Sequence, residues 1–489
     1  MRRERLVVVG NGMAATRLVE ELLARGYDGH VTVLGDEPVP AYNRILLSAV
    51  LEGSHPRGAI ELRGPTYDPE RVEVRLGCRV LEVDRDRREV MLVDGERPGH
   101  ERLGHERLGY DRLVLATGSI PTLPPIRGLV RMDGQLHPNV HAFRSLADAD
   151  RLETAIRSRQ ARPTGTRAVV VGGGLLGLQV ARALTVRGLA TEVVEGTEHL
   201  LSRQVGAPGG RILARDLRRL GTEVYTGTRA VRLTDDGLVL DNGFTLETDL
   251  VVLTAGGRPS TALARRAGLL VRRGVVIDGR LASVTDERVH AIGDCAERRG
   301  VTTGFVPPAW EQAAALAALL AGGSEEYAGS RTVARLRATG LDVAVLGDPE
   351  RTDGEVVEMT NPLVGSHRRL VVRDGVIVAA ALVGDLSQVG LITQHYDRRT
   401  VLGPHEPGEL LAPEGAGAAP PADLADDVEV CACAGVTAGR VRACAGLEEV
   451  RSTTRATTGC GGCGPVVRHL LEPAAAGVRA APISAFPRL

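Results

Sequence analysis

Four of the seven cysteines fall as two close pairs near the end of the chain, Cys431-x-Cys433 and Cys460-x-x-Cys463. Four thiolates set out this way can hold a tetrahedral zinc or an iron–sulfur cluster, since Cys₄ sets serve both. Glycines crowd the second pair (TTGCGGCGPVV), which lets the backbone fold over a metal with N–H groups directed at sulfur. On the residues alone, a [2Fe–2S] cluster, a structural zinc and an empty relic stay open. Cys444, on an expected helix Gly439–Ala445 between the pairs, reads as a bystander. Cys78 and Cys295 are single thiols and read as small buried fillers.

A second chemistry is written in glycines. Gly10-Asn11-Gly12-Met13-Ala14-Ala15 is G-x-G-x-x-A, set between the apolar run RLVVV and a helical pattern. The first glycine permits a tight turn and the second lets backbone approach a pyrophosphate. Small Ala15 lets helix and strand pack closely, and the helix N-terminus offers its positive dipole end. An acidic group after the next strand takes the ribose hydroxyls, with Asp36 and Glu37 as candidates. Gly172-Gly173-Gly174-Leu175-Leu176-Gly177 is a full G-x-G-x-x-G, and its next strand ends in Glu195. A carboxylate there favours the free 2′-hydroxyl of NADH and repels a 2′-phosphate. Arg203 is near enough in sequence to keep NADPH open. Two further strand ends are Ala116-Thr117-Gly118 and Gly293-Asp294. A Gly-Asp at a helix start can set a carboxylate on a ribityl hydroxyl and N–H groups on a phosphate, though ordinary strand-to-helix turns look the same.

The elements that must carry these residues are strand–helix–strand units repeated along a chain of 489 residues, which is long enough for several domains. Charge is nearly balanced, with 60 Lys and Arg against 61 Asp and Glu, and no residue is lysine. No basic surface therefore advertises nucleic acid. Seven Tyr, four Phe and one Trp are too few for base-stacking platforms or membrane belts. The longest apolar runs fall short of a membrane span, and Leu6–Val9 is too short for a signal peptide core, so a cytoplasmic chain is expected. The tract GHERLGHERLGYDRL (99–113) repeats a five-residue unit, and its first two copies read as a solvated loop. Alternating short strands over 326–403 suggest a small α+β domain. The Pro-, Ala- and Gly-rich stretch 404–426 reads as a linker, and 473–489 as a loose tail.

Taken in order, the two glycine motifs, Ala116-Thr117-Gly118 and Gly293-Asp294 resemble the flavoprotein reductases with two dinucleotide domains, over about residues 5–320. AYNRILLSAVLEG (41–53), GGGLLGLQVARAL and HLLSRQ (199–204) resemble, more narrowly, the flavoprotein portion of the NADH-dependent nitrite reductase large subunit. They also resemble the related electron-transfer subunits of assimilatory nitrate reductase. The cysteine module resembles the [2Fe–2S] module of bacterioferritin-associated ferredoxin, with a shortened stretch between the pairs.

The resemblance implies an α/β fold with two Rossmann-like dinucleotide-binding domains. The FAD-binding domain would take 1–120 and 246–325, and the NAD(P)H-binding domain 121–245. A small α+β domain (326–403), the linker and a small helical [2Fe–2S] module (427–472) would follow. It implies FAD contacts for Gly10, Gly12, Ala15, Asp36, Glu37, Arg44, Val80 at the adenine end, Ala116, Thr117, Gly118, Gly293, and Asp294 at the ribityl chain. Gln312 would face the isoalloxazine region. Gly172, Gly174, Gly177 and Glu195 would hold NAD(P)H, and Cys431, Cys433, Cys460 and Cys463 the cluster. Where the ferredoxin-reductase relatives carry a lysine after the Leu-Ser of the 41–53 segment, this chain has Ala49.

No redox cysteine pair accompanies the nucleotide motifs, and no acid–base set is required, because the cofactor performs the hydride chemistry. FAD takes two electrons together and a [2Fe–2S] centre one at a time. The implied function is therefore an NADH-dependent oxidoreductase supplying a separate nitrate or nitrite reductase. The chain after the cysteine module is too short for a sirohaem domain, so nitrite reduction by this chain itself is not expected. Alternatives are a ferredoxin- or rubredoxin-type reductase serving a monooxygenase, and a redox- or iron-sensing binding protein. Monomer and homodimer both remain open.

Overall fold

The structure is a computed structural model that describes residues 3–62, 67–94, 106–159, 165–412, 424–431, 434, 436–457 and 463–471. The chain divides into two compact units, Met1–Glu414 and Gly415–Leu489.

The first unit opens with β1 (Arg5–Val9), α1 (Met13–Ala24) and β2 (His30–Gly35). Leu6 to Val9 are all buried in mid-sheet, as an apolar run without alternation requires. In α1, Ala15, Leu18, Val19 and Leu22 are buried at helical spacing. Next come α2 (Leu47–Glu52), β3 (Val72–Leu76), β4 (Cys78–Asp84), β5 (Glu89–Asp94), β6 (Glu106–Gly109) and β7 (Arg112–Leu115). The loop expected from the repeat is thus corrected at its second copy, which forms β6. There Val90 pairs with Leu108, and Leu108 packs on the neighbouring core. Residues 95–105, with the first copy, lie outside the described residues.

β8 (Ser119–Pro121) leads into a second sheet. Its elements are β9 (Val140–Ala142), α3 (Leu146–Arg157), β10 (Arg167–Val171), α4 (Leu175–Val186), β11 (Ala190–Glu195), α5 (Ala207–Arg219), β12 (Thr222–Thr226) and β13 (Leu250–Leu253). β14 (Gly257–Pro259) leads back, antiparallel to β8. The first sheet is completed by β15 (Ala282–Ser283) and β16 (Asp286–Ala291), in the order β15-β16-β7-β1-β2-β3, and the second runs β12-β11-β10-β13-β9. The second sheet is wholly parallel. The return between the halves falls at 257–259 rather than at 246, because Leu250–Leu253 is fully buried beside β10 in the second sheet.

α6 (Val306–Leu320) lies against α1. Pro307 and Pro308 sit in its first turn, where a missing N–H costs nothing. Five antiparallel strands follow: β17 (Val333–Ala338), β18 (Leu341–Leu346), β19 (Glu355–Asn361), β20 (Ser366–Arg373) and β21 (Val376–Val383). Val389, Ile392 and Tyr396 of α7 (Val389–Arg398) cover one face, while Leu336, Val343, Val345, Ala381 and Val383 share a core with α4 and α5. The stretch read as linker opens with α8 (Glu406–Leu411), whose Leu410 and Leu411 join the α7 core. That reading is corrected for 404–412, and 413–423 lie outside the described residues.

The second unit contains β22 (Glu429–Cys431), β23 (Val436–Thr437), α9 (Ala438–Arg442) and α10 (Gly464–Leu471) around Val436, Val441, Val450, Ala456 and Val467. Cys444 lies beyond the end of α9, so the expected helix to Ala445 is shorter. The tail 473–489 lies outside the described residues. Among the described residues no helix is long and apolar enough to cross a membrane.

Candidate functional site

The two glycine turns are built alike. Gly10 has φ 113°, and a Cβ there would lie 2.2 Å from the Ala116 carbonyl oxygen. Gly172 has φ 117°, and a Cβ there would lie 2.8 Å from the Thr254 oxygen. At Gly12 and Gly174 a Cβ would meet nothing within 4 Å, so in each turn backbone faces open space at a helix start. No side chain caps α1 or α4. At the last motif position, Ala15 is fully buried, while a Cβ on Gly177 would lie 1.8 Å from the Gly172 oxygen.

Around the first turn, Ala116 donates its N–H to Val9, the Thr117 hydroxyl donates to the Ser260 carbonyl (2.7 Å), and Gly118 turns the chain at φ 64°. Gly293, at φ 74°, lies so close to α1 and α6 that a Cβ would be 3.3 Å from that of Ala14 and 3.9 Å from that of Ala309. Its N–H donates to the Gln312 carboxamide oxygen at 2.7 Å. Gln312 is buried behind the turn and holds it. Asp294 accepts the Ser119 hydroxyl (2.6 Å) and Arg144 Nη2 (2.7 Å), both on Oδ2.

The acidic candidates separate. Glu37 accepts the Tyr42 hydroxyl (2.8 Å) and pairs with Arg44, whose guanidinium lies 4.8 Å from the Tyr42 ring centroid. The Tyr42 oxygen in turn accepts the Leu146 N–H at the start of α3. Asp36 is exposed, 3.9 Å from Arg79. By strand register Gly35 holds the place that Glu195 holds in the second turn, since Val9 pairs with Leu34 as Val171 pairs with Val194. Val80 sits half-buried at a bulge in β4, packed on the first core.

Around the second turn, Glu195 Oε2 accepts the Gly173 N–H (2.7 Å), and Oε1 accepts the Thr197 N–H and hydroxyl (2.8 Å each). The carboxylate is thereby pinned at the strand end. Arg203 is exposed. The cation at the turn is Arg229, whose side chain lies against Gly196, with Cγ 2.9 Å from where a Cβ would stand. Chain spacing did not point to Arg229, nor to Ser119 and Arg144 beside Asp294. The available signals were Ser119 directly after Ala-Thr-Gly and Arg144 directly before the helix start Ser145-x-x-Asp148. Both turns fit a dinucleotide, with bare backbone, open space and a helix start in one place.

In the second unit Cys431 and Cys463 are buried. Contact with the Cys463 thiol, with burial, pushes the Cys431 thiol up. The Thr457 N–H donates to Cys463 Sγ at 3.1 Å, the backbone-to-sulfur contact that suits a thiolate cluster. Cys433 and Cys460 lie outside the described residues. Cys78 and Cys295 are buried, and the Cys295 thiol donates to the Leu115 and Ile292 carbonyls.

Residues 4–315 match the pyridine nucleotide-disulphide oxidoreductase family, and the chain belongs to it. Residues 429–473 match the BFD-like [2Fe-2S] binding domain. The chain is therefore an FAD-dependent NAD(P)H oxidoreductase that carries a [2Fe–2S] domain. It is 32% identical to a nitrite reductase [NAD(P)H] of Bacillus subtilis (strain 168), over 96% of this chain and 58% of that one. It is 30% identical to the assimilatory nitrate reductase electron transfer subunit of the same organism, over 96% of this chain and 60% of that one. The chain thus spans about three-fifths of the length of these relatives. Among solved structures, the covalent putidaredoxin reductase–putidaredoxin complex is similar with a TM-score of 0.72 and 25% identity, covering 84% of this chain and 96% of that one.

Proposed function

We propose that the chain takes reducing equivalents from NADH and delivers them, through its flavin-binding and cysteine-bearing parts, to a separate nitrate or nitrite reductase. The observation that carries this is the joining of two glycine turns and a Cys₄ module on one chain, matched across 96% of its length by nitrite and nitrate reductase components. FAD supplies hydride acceptance and the cluster single-electron release. The residues supply binding and orientation. Gly10, Gly12 and Ala15 shape the first turn for the flavin pyrophosphate. Glu37 holds the adenosine ribose, braced by Tyr42 and Arg44. Ala116, Thr117, Gly118 and Gly293 set the strand ends, and Asp294 Oδ1 holds the ribityl chain. Gly172, Gly174, Gly177 and Glu195 seat NADH, and Cys431, Cys433, Cys460 and Cys463 bind iron. Residues 1–118 and 260–325 form the flavin domain in this reading, and 122–256 the nicotinamide domain.

Cys463→Ser in the full chain should remove iron and acid-labile sulfide, retain FAD, and keep NADH–ferricyanide activity while abolishing nitrate- or nitrite-dependent NADH oxidation with the partner enzyme. Unchanged partner-dependent turnover would refute the relay. The similarity to putidaredoxin reductase favours a second reading, a reductase serving a monooxygenase. Faster turnover with a monooxygenase ferredoxin than with either nitrogen-oxide reductase would select it.

A further inference from the structure

Arg144 belongs to the second sheet's half by position, between β9 and α3, yet its guanidinium serves the first. A capping box fixes where it starts: the Ser145 hydroxyl accepts the Asp148 N–H, and Asp148 Oδ2 accepts the N–H groups of Ser145 (2.8 Å) and Arg144 (3.0 Å). From there the side chain spans both strands that join the halves. Nε donates to the Ser119 carbonyl of β8 at 3.1 Å, Nη2 bonds the Ser119 hydroxyl, and Nη1 lies 3.0 Å from where a Cβ on Gly257 of β14 would stand. The fork ends on Asp294 Oδ2 at 2.7 Å. The Arg144 carbonyl accepts Arg44 Nη1 at 3.3 Å, which extends the same strap to Glu37 and Tyr42. Asp294 is largely shielded, so a charge-assisted bond to it is worth more than at an exposed site.

We propose that Arg144 is a positioning residue that straps the nicotinamide-binding half to the flavin-binding half and turns Asp294 so that Oδ1 faces the flavin. This rests on the reading of Asp294 as a flavin ligand. One guanidinium then sets two things together: the carboxylate orientation on which flavin retention depends, and the angle between halves on which hydride distance depends. A misplacement of about 1 Å costs on the order of a hundredfold in a transfer step.

The test compares Arg144→Gln, Arg144→Lys and Asp294→Asn in the full chain. Trp310, the single tryptophan, lies on α6 next to Ala309, whose Cβ is 3.9 Å from where a Cβ on Gly293 would stand, and its fluorescence is the probe for FAD binding to deflavinated protein. Arg144→Gln should weaken FAD binding about tenfold and slow anaerobic flavin reduction at saturating NADH at least tenfold, with the NADH dissociation constant within threefold of wild type. Arg144→Lys, which keeps the charge but cannot fork, should fall between, and it carries the comparison if Arg144→Gln does not fold. Wild-type FAD affinity and reduction rate in the Arg144 variants, with flavin loss in Asp294→Asn, would overturn the strap while sparing the Asp294 reading. Full flavin retention in Asp294→Asn would overturn both.

Discussion

Gly177→Ala is a one-methyl perturbation whose size follows from the backbone. The new Cβ would stand 1.8 Å from the Gly172 carbonyl oxygen and 2.9 Å from Thr254 Oγ1. Carbon and oxygen do not pack closer than about 3 Å, so α4 must move from the end of β10 by about 1 Å. Gly172 cannot yield alone, because its carbonyl also accepts the Thr254 hydroxyl at 3.1 Å, and that hydroxyl bonds Val171 too. Overpacking of this kind costs about 1–3 kcal/mol. That cost is read in Tm; the movement also displaces the N–H groups at the start of α4, and losing one hydrogen bond to a charged group should lower NADH affinity by about 10- to 150-fold. The first turn already carries a methyl at Ala15 and is untouched, so FAD content should be unchanged. Steady-state KM for NADH with ferricyanide, calorimetric NADH binding and Tm give the readouts. Gly174→Ala is the control: its methyl meets no protein atom within 4 Å, so Tm should hold while KM rises. A Gly177→Ala protein with wild-type KM and Tm would refute the close-approach argument.

Glu195→Ser should raise KM for NADH about tenfold and narrow the preference over NADPH, because one charged acceptor is lost while Arg229 remains beside Gly196. An unchanged ratio of kcat/KM for the two nucleotides would place the ribose elsewhere. Burial, and then Arg112, push buried His290 down to about 4, so the folded chain holds it neutral. Stability from this group is complete above its unfolded pKa of about 6.5 and is lost as pH falls towards 4, costing about 2 kcal/mol between pH 7 and 5. His141 is likewise pushed down to about 4, chiefly by burial. Calorimetric Tm should therefore drop from pH 7 to 5, and His290→Leu should flatten the drop. The same pH dependence in that variant would exclude His290 as a source.

Both glycine turns could be read from the sequence because each lies within a few residues of chain, and its demands on φ and side-chain size are local. What escaped was set by distant partners. LVVL at 250–253 has the same apolar pattern as LVVV at 6–9, and only pairing with β10 decides which sheet owns it. The second HERLG copy is polar enough to be a loop and becomes a strand because β5 offers it an edge. Leu410 and Leu411 sit in a Pro- and Gly-rich stretch whose composition hides a six-residue helix docked on the α7 core. Arg144 is one arginine in a chain that uses arginine for every side-chain cation beyond histidine. Only its reach to Asp294, 150 positions away, singles it out.

The segment between β2 and β3 has one more implication. Tyr42, Leu46, Leu47, Leu51 and Ile60 leave the half they are encoded with and fill the interior of the other, against α3 and α4. Cutting the gene at the β8–β14 crossing would bare these side chains on one fragment and their sockets on the other, at about 1.5–3 kcal/mol for each large aliphatic. The two nucleotide-binding halves are therefore stitched into a single cooperative body, and neither is a portable module for grafting onto another enzyme.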